Sequence, residues 1–220
     1  MVVTMMSRLF CGMATITALT TQKRNAERIN VFLDGQFAFG LAAAAATGLR
    51  TGQVLSEQEI SDLQRKDDFE KARMSALNLI SRRPHSSEEV RRNLRRKSFD
   101  DLLIDQVVDK LTAVELLDDV AFAAYWVEQR EAFKPRSRLA LRQELHQKGV
   151  QSAVIDVALE QVDELSAAHR AAEKQARRWT PLPEDEYRVK LGRFLQRLGF
   201  PYDVIIDTTN ATWQALNEEQ

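Results

Sequence analysis

The chain has 220 residues, of which 44% are hydrophobic and 29% charged, so it can bury the core of one large domain or of two small ones. Its formal net charge is −1, and the total charge therefore gives no indication of a nucleic-acid partner. The single cysteine, Cys11, excludes an intramolecular disulfide and a thiolate cage around a metal.

The segment 1–14 predicts a disordered extension. It is mildly apolar, but Arg8 interrupts it and no signal-peptide pattern follows. No apolar run in the sequence approaches the roughly 20 residues that a membrane-spanning helix needs. We therefore expect a cytoplasmic protein that does not enter a membrane.

Residues 15–67 predict a small N-terminal antiparallel β meander followed by short helices. Three runs alternate polar and apolar residues, which is the period of a β-strand; they are 16–22, 28–34 and 36–41. Asp34-Gly35, between the last two runs, is a two-residue turn signal.

Two further signals follow the predicted meander. The alanine-rich stretch 42–49 predicts the start of a helix. Ser56 and Glu59 have the spacing of a capping box, which marks the N-terminus of the next helix.

From residue 68 onward the sequence is predicted to be helical, and it repeats. Three similar segments begin at Leu94, Leu145 and Leu195, which are 51 and 50 residues apart. Each leucine has an apolar residue four places before it and an isoleucine ten places after it: Val90, Leu141 and Leu191, then Ile104, Ile155 and Ile205. The four-residue spacing places two apolar side chains on one helix face.

Each repeat predicts three helices. The middle helix, which carries the leucine, ends at a small residue that enters the left-handed region, namely Ser98, Gly149 or Gly199. We expect a mostly α fold of three tandem three-helix-bundle repeats in an elongated array. The predicted boundaries are 68–117, 118–162 and 163–216, followed by a tail, 217–220.

Several of these motifs together resemble the RecX family of recombinase modulators. Arg82-Arg83-Pro84-His85-Ser86, followed by Leu94, Lys97 and Phe99, is similar to the opening of that family's first repeat. Further similar motifs lie at the second and third repeats and in the hairpin: Leu116 to Asp119 with Phe122 and Trp126, Lys134 to Val150, Leu198 to Phe200, and Phe32 to Phe37. The resemblance covers roughly residues 16–214, and the order of the motifs makes it specific.

The resemblance implies a cytoplasmic bacterial protein that binds the filament of the RecA recombinase on DNA. Members typically inhibit the strand exchange, ATP hydrolysis and co-protease activities of that filament. This sequence departs from the family pattern at Ser98, where glycine is usual, at Leu198, where the other two repeats have lysine, and at His85, where a second basic residue is common. We also expect a monomer without a cofactor.

Two stretches carry a local excess of positive charge. Residues 82–97 hold seven basic against two acidic residues, and residues 130–148 hold six against two. Because the planar guanidinium binds phosphate and carboxylate alike, we predict contacts to the filament or to DNA here. The candidates are Arg82, Arg83, Arg91, Arg92, Arg95, Arg96, Lys97, Lys134, Arg136, Arg138, Arg142 and Lys148. The alternative is that Glu88 and Glu89 pair with these arginines along a solvated helix surface.

No catalytic constellation is evident in the sequence. The histidines His85, His146 and His169 are too few and too scattered for a metal site, and a surface role is expected for them. Asp118-Asp119 resembles a carboxylate pair, but capping of the following helix explains it better. We therefore expect a protein that is not an enzyme and binds no metal.

The aromatic residues of the repeats are predicted to be mostly core. At helical spacing, Phe122, Trp126 and Phe200 are expected inside the bundles. Trp179, next to a proline, is predicted at a helix end and exposed, where it could serve as a base-stacking platform.

Three functions remain open from the sequence. The first is a regulator that binds the RecA–DNA filament, and it accounts for the repeats, the basic stretches and the lack of catalytic groups. The alternative is a helical repeat protein that binds nucleic acid directly and needs no recombinase partner. A third is a scaffold for another protein, for which reversal of the basic charges would matter little.

Overall fold

The computed structural model describes residues 12–23 and 25–218. Most of the predicted extension, with Cys11, and the end of the predicted tail lie outside the described residues. The chain divides into two compact units. The first consists of the residues up to Asn78 together with Leu94–Val107, and the second of Leu79–Asn93 together with the residues from Val108 onward.

The first unit contains an antiparallel sheet with the strand order β3-β2-β1-β4. The strands are β1 (Ala14–Gln22), β2 (Asn25–Leu33), β3 (Gln36–Ala42) and β4 (Val54–Leu55). The predicted meander is therefore confirmed, and its turn at Asp34-Gly35 has positive φ at both residues, 49° and 82°. The two-residue strand β4 was not predicted, because it is too short to show an alternating pattern.

The helix predicted for residues 42–49 is wrong, since the structure has consecutive turns there. The amide N–H groups of Ala45 and Ala46 both donate to the carbonyl of Ala42, and the chain then reverses at Gly48, whose φ is 92°. Ala46 is buried in the core of the first unit. Alanine is the best helix former, but helix propensity is a weak determinant of structure, and this packing overrides it.

A buried carboxylate joins the sheet to the helix that follows. Asp67 is 2% exposed and accepts hydrogen bonds from the backbone N–H of Ala42 (2.7 Å) and from Arg28 (2.9 Å). It also pairs with Lys71 at 2.7 Å. Burial opposes ionisation of this carboxyl, but the bonds from Arg28, Lys71 and Ala42 outweigh it and lower the pKa of Asp67.

The helical part begins with the predicted capping box. Ser56 N–H donates to the Glu59 carboxylate (2.8 Å), and Glu59 N–H donates to the Ser56 hydroxyl (3.3 Å). The nine helices of the described residues are α1 (Glu57–Ile80), α2 (Ser87–Arg96), α3 (Asp101–Ala113), α4 (Asp119–Phe133), α5 (Arg138–Gln147), α6 (Ser152–Leu159), α7 (Glu164–Trp179), α8 (Glu184–Arg197) and α9 (Tyr202–Glu218). Helix α1 runs without a break through residue 68, where repeat 1 was predicted to begin.

Repeats 2 and 3 each enclose a core in the second unit. Phe122, Leu141 and Ile155 belong to the core of α4, α5 and α6, and Leu191 and Phe200 to that of α7, α8 and α9. The prediction of an exposed Trp179 is wrong. Its ring packs against the repeat 3 core and lies edge-to-face with Phe194, with centroids 6.2 Å apart.

The three middle helices α2, α5 and α8 end in the same left-handed turn, as predicted. Ser98, Gly149 and Gly199 have φ of 61°, 79° and 89°. In each turn the N–H of the next residue donates to the carbonyl of the repeat's leucine, as Val150 does to Leu145 at 3.1 Å. These bonds satisfy carbonyls that a helix C-terminus would otherwise leave without a partner.

In the second unit, the turn of one repeat lies against the middle helix of the preceding repeat. A Cβ added at Gly149 would lie 2.3 Å from Glu88 Cβ, and one added at Gly199 would lie 2.6 Å from the Ser137 hydroxyl oxygen. Glycine is therefore needed twice over, for the positive φ and for the close approach. Ser98 is exposed, so only the first requirement applies to it, and a residue other than glycine is tolerated there.

Hydrogen bonds repeat at these two junctions. The Ser86 hydroxyl donates to the Lys148 carbonyl (2.6 Å), and Ser137 N–H donates to the Leu198 carbonyl (3.3 Å). Both serines cap their own helices and are fully buried.

Acidic residues at the start of the next repeat complete each junction. Asp118 caps α4, as the sequence predicts, by accepting from Val120 N–H (2.7 Å). Its neighbour Asp119 accepts from the N-terminal N–H of α2, at Ser87 (2.8 Å). Glu164 does the same for α5.

We predict opposite effects of two substitutions at equivalent turns. Gly149→Ala should lower the free energy of unfolding by about 2 kcal/mol or more, because a Cβ at positive φ is strained and meets Glu88. Ser98→Gly should raise it by about 1 kcal/mol, because it relieves a left-handed serine at an exposed turn. Urea denaturation of both variants tests this, and destabilisation by Ser98→Gly would contradict the assignment of the two turns.

We predict that Asp67→Ala lowers the free energy of unfolding at pH 7 by about 3 kcal/mol, since it leaves Arg28 and Lys71 without their buried partner. Asp68→Ala, which removes only an exposed pair with Lys71, is the matched control and should cost less than about 1 kcal/mol. Because the folded pKa of Asp67 is lowered, its contribution is present above the ordinary pKa of 3.8 and is lost as pH falls through the folded value. Urea denaturation at a series of pH values from 7 downward should show the two variants converging as pH falls below 3.8.

Candidate functional site

The middle helices direct the predicted basic residues away from the core. Val90 and Leu94 on α2, and Leu141 and Leu145 on α5, are fully buried. Because residues four apart share a helix face, the arginines between them lie on the remaining faces.

Three of the predicted residues make contacts at the junction between repeats 1 and 2, and a fourth does so at the next junction. Arg83 donates to both carboxylate oxygens of Glu89 (3.0 and 3.2 Å), and Lys148 pairs with the same carboxylate. Arg92 pairs with Glu88 (3.2 Å) and donates to the Gln147 carbonyl (2.6 Å). Arg138 plays a comparable part at the next junction, where it donates to the Val162 carbonyl (2.8 Å). These cations have partners within the protein.

Three more of the candidates form ion pairs or hydrogen bonds within the protein. Arg95 pairs with Asp101 (2.8 Å), Arg142 pairs with Asp156 (2.5 Å), and the Lys97 ammonium donates to the Ser75 hydroxyl (2.5 Å). Arg91 likewise has an interaction partner in the structure. The alternative that the sequence left open, pairing of Glu88 with a helix arginine, is confirmed for Arg92.

Four candidates remain without a close ionic partner among the described residues. Arg82, Arg96 and Lys134 are exposed and make no ion pair there. Arg136 is a third exposed, lies 3.9 Å from Glu144, and has a buried Nε without a hydrogen-bond partner. These four side chains can therefore bind a partner without losing an ion pair shorter than 3.5 Å among the described residues.

A charged cluster on repeat 2 was not predicted from the sequence. Trp126, predicted as core, is half-buried against the repeat 2 core, and its indole ring also has Arg130 and Lys148 at 4.6 Å from the ring centroid, which is cation–π geometry. Its Nε1–H donates to Glu144 (2.8 Å), which also pairs with Arg130 at 2.7 Å. The spacing of Trp126 and Arg130, four residues apart on one helix, was the available signal.

Lys148 links this cluster to Glu89, whose carboxyl has a strongly shifted pKa. Burial raises the pKa of this carboxyl, but hydrogen bonds from Arg83 and Lys148 and their positive charges dominate and lower it to about 2. His85, predicted at the surface, is instead buried, and its Nδ1 lies 2.8 Å from the Arg83 carbonyl. Burial lowers the pKa of His85, so the imidazole is neutral at pH 7.

Neither a metal-binding cluster nor a membrane-spanning helix is present among the described residues. They contain no group of three or more His, Cys, Asp or Glu side chains arranged to hold a metal ion. Within the same part of the chain, no helix is both long enough and apolar enough to cross a membrane.

The architecture defines a class of protein: tandem three-helix repeats after a small β sheet, with basic side chains on the middle helices. Four family models match in that order. They are the regulatory protein RecX N-terminal domain (residues 14–56) and the first, second and third three-helix domains of RecX (72–111, 118–159 and 162–207).

Similar proteins and a similar crystal structure indicate the same family. The regulatory protein RecX of Clostridium botulinum (strain Eklund 17B) is 33% identical over 214 residues, which cover 94% of this chain and 99% of the relative. That of Bacillus licheniformis is 34% identical over 198 residues, or 88% of this chain and 75% of the relative. A crystal structure of regulatory protein RecX covers 90% of this chain and 99% of its own at 27% identity, with a TM-score of 0.68. The chain belongs to the RecX family of regulatory proteins.

We predict that Glu89→Gln lowers the free energy of unfolding at pH 7 by about 2 kcal/mol, because Arg83 and Lys148 lose the carboxylate they share. Since the folded pKa of Glu89 is about 2, against an ordinary 4.5, its contribution is complete above pH 4.5 and lost as pH falls towards 2. Chemical denaturation across this range measures the effect.

Glu88→Gln is the matched control for this prediction. Its carboxylate pairs with the half-exposed Arg92, so its loss should cost less than about 1 kcal/mol. Equal losses for the two variants at pH 7 would contradict the central place of Glu89 in the junction.

Proposed function

We propose that this protein binds the RecA–DNA filament and inhibits its recombinase, ATPase and co-protease activities, acting as a regulator and not as an enzyme. Membership of the RecX family of regulatory proteins is the observation that carries the proposal. A partner that acts on the chromosome places the protein in the cytoplasm. The protein acts as a monomer and uses no cofactor.

The distribution of charge supports a protein–DNA assembly over naked DNA as the partner. Most basic residues of the two stretches are already engaged by carboxylates or helix carbonyls, and the net charge of the chain is −1. Affinity for free DNA rises with the number of phosphates neutralised, so the few remaining cations give weak, salt-sensitive binding. Contacts to the recombinase itself must then supply the rest of the affinity.

Arg82, Arg96, Lys134 and Arg136 are the residues we assign to these contacts. The first three are exposed and without an ion pair among the described residues, and Arg136 is 33% exposed and lies 3.9 Å from Glu144, its ionic neighbour. Engaging them costs no junction contact, whereas engaging Arg83, Arg92 or Lys148 would break one.

Direct binding of nucleic acid without a recombinase remains the second candidate. The three-helix repeats with basic middle helices favour it, because a helix can carry cations into a groove of DNA. It predicts tight binding to free duplex with a steep dependence on salt.

We predict that the wild-type protein lowers ATP hydrolysis by RecA filaments on single-stranded DNA. In the variant Arg82→Glu/Arg96→Glu/Lys134→Glu, the concentration needed for half-inhibition should rise about ten-fold or more, since each reversed charge removes an attraction and adds a repulsion. The control Arg177→Glu/Arg178→Glu/Lys190→Glu makes the same change of charge at exposed positions of repeat 3 and should shift it less than about three-fold.

Melting temperature is measured first, so that only folded variants are compared. Wild-type protein that leaves ATP hydrolysis unchanged even in excess would overturn the filament proposal. If it then binds free duplex tightly, with a steep salt dependence, direct nucleic-acid binding takes its place.

A further inference from the structure

Repeat 3 departs from the other two at a pair of positions that face each other in repeat 2. There, Arg142 on α5 and Asp156 on α6 form an ion pair across the two helices at 2.5 Å. These positions lie three residues before the repeat's leucine and one after its isoleucine. Repeat 1 has Arg91 and Asp105 at the same positions, whereas repeat 3 has Gly192 and Ile206.

The loss of this charged pair opens a groove between α8 and α9. Its volume is about 420 Å³, within the range of sites that receive side chains or small ligands. Val189, Gly192, Phe200, Tyr202 and Ile206 form much of its lining. Val189, Tyr202 and Ile206 are 50%, 78% and 40% exposed, so a large apolar surface faces solvent here.

Gly192 leaves the groove open without being required by the backbone. A Cβ added there would lie 3.6 Å from the Ile205 side chain, which is an ordinary contact. Its φ is not in the positive range that favours glycine. A longer side chain at this position can therefore enter the groove, as the arginine of repeat 2 does at its own position.

The charged residues that line the groove are both basic. Arg188 pairs with Glu184 at 2.6 Å and also contacts Asn210. Arg193 is exposed and makes no ion pair with a described residue. No carboxylate lines the groove, so its potential favours an occupant with negative charge.

We propose that this groove, lined by α8 and α9 of repeat 3, is a docking site for an acidic amphipathic helix of a protein partner. The helix buries apolar side chains against Val189, Tyr202 and Ile206 and places a carboxylate on Arg193. An apolar floor beside a free arginine suits such a helix better than a phosphate backbone, because phosphates gain nothing from apolar surface. The lining of the groove includes none of the basic residues assigned to the filament contacts, so this proposal does not depend on the filament proposal.

The test uses the full chain and two synthetic amphipathic helical peptides, labelled with a fluorophore. Both have an apolar face of leucine and phenylalanine; one has glutamate on its polar face and the other lysine. The groove-filled variant Gly192→Arg/Ile206→Asp introduces the pair that repeat 2 already tolerates. Arg193→Glu reverses the free charge, and Arg178→Glu on α7 is the control for general charge.

We expect the glutamate peptide to bind the wild-type protein about ten-fold more tightly than the lysine peptide, a difference that one well-placed ion pair with its hydrogen bonds can supply. The groove-filled variant should lose about ten-fold or more in affinity for the glutamate peptide, and so should Val189→Asp, which keeps Gly192 and serves if the double variant does not fold. Arg193→Glu should remove the preference for glutamate, and Arg178→Glu should leave it unchanged.

Three results would overturn the proposal. They are failure of the glutamate peptide to bind, equal binding to the groove-filled and wild-type proteins, and equal losses for Arg193→Glu and Arg178→Glu. If filling the groove weakens binding to duplex DNA or to phosphatidylglycerol vesicles but not to the peptide, the partner is of a different class. Recombinase is absent from every arm, so failure here is separate from failure of the filament assay.

Discussion

The docking of a left-handed turn onto the preceding helix is the constraint around which repeats are joined in this protein. At Gly149 and Gly199 the backbone comes so close to the preceding middle helix that a Cβ would overlap it. The same approach brings the last carbonyls of one helix to the capping serine of another, at Ser86 and Ser137. The N-termini of α2 and α5 are thus engaged by the next repeat, and the C-terminus of each middle helix is closed by its own turn.

This arrangement determines what the basic residues can do. A helix C-terminus presents carbonyl oxygens with partial negative charge, and cations are drawn to it. Arg92 binds such a carbonyl, that of Gln147 at the end of α5, and Arg138 binds the Val162 carbonyl in the loop after α6. Glu89 holds Arg83 and Lys148 together. Many of the basic residues that the sequence suggests as a phosphate-binding surface therefore make contacts at the junctions between repeats. Few cations of the two basic stretches are then left to neutralise phosphates.

Repeat 3 shows how the same unit changes where no further repeat follows in the described residues. Tyr187 stands at the position of the capping serines, and α8 begins at Glu184, about one turn earlier than its counterparts. Gly192 and Ile206 replace the charged pair of repeat 2, which leaves an apolar groove open. These changes affect the faces that a neighbouring repeat or an ion pair would otherwise occupy, while the core positions Leu191, Leu195 and Ile205 are kept.

The sequence by itself determined the features that depend on near neighbours. Strand alternation, the Asp34-Gly35 turn, the capping box at Ser56, the cap at Asp118 and the left-handed turns all follow from residues within a few positions of one another. The repeat pattern then gave the three-helix units, because the same spacing of buried residues recurs three times.

Only the tertiary structure decided which side chains meet across long separations. Asp67 pairs with Arg28, Glu89 pairs with Lys148, and the Trp126 ring contacts Lys148. The partners are more than 20 residues apart in each case, so no local sequence pattern predicts these contacts. Packing also overrode the local preference at Ala46 and buried Trp179. The charge of an arginine can be read from sequence, but whether it is free depends on what the fold places within about 3 Å of it.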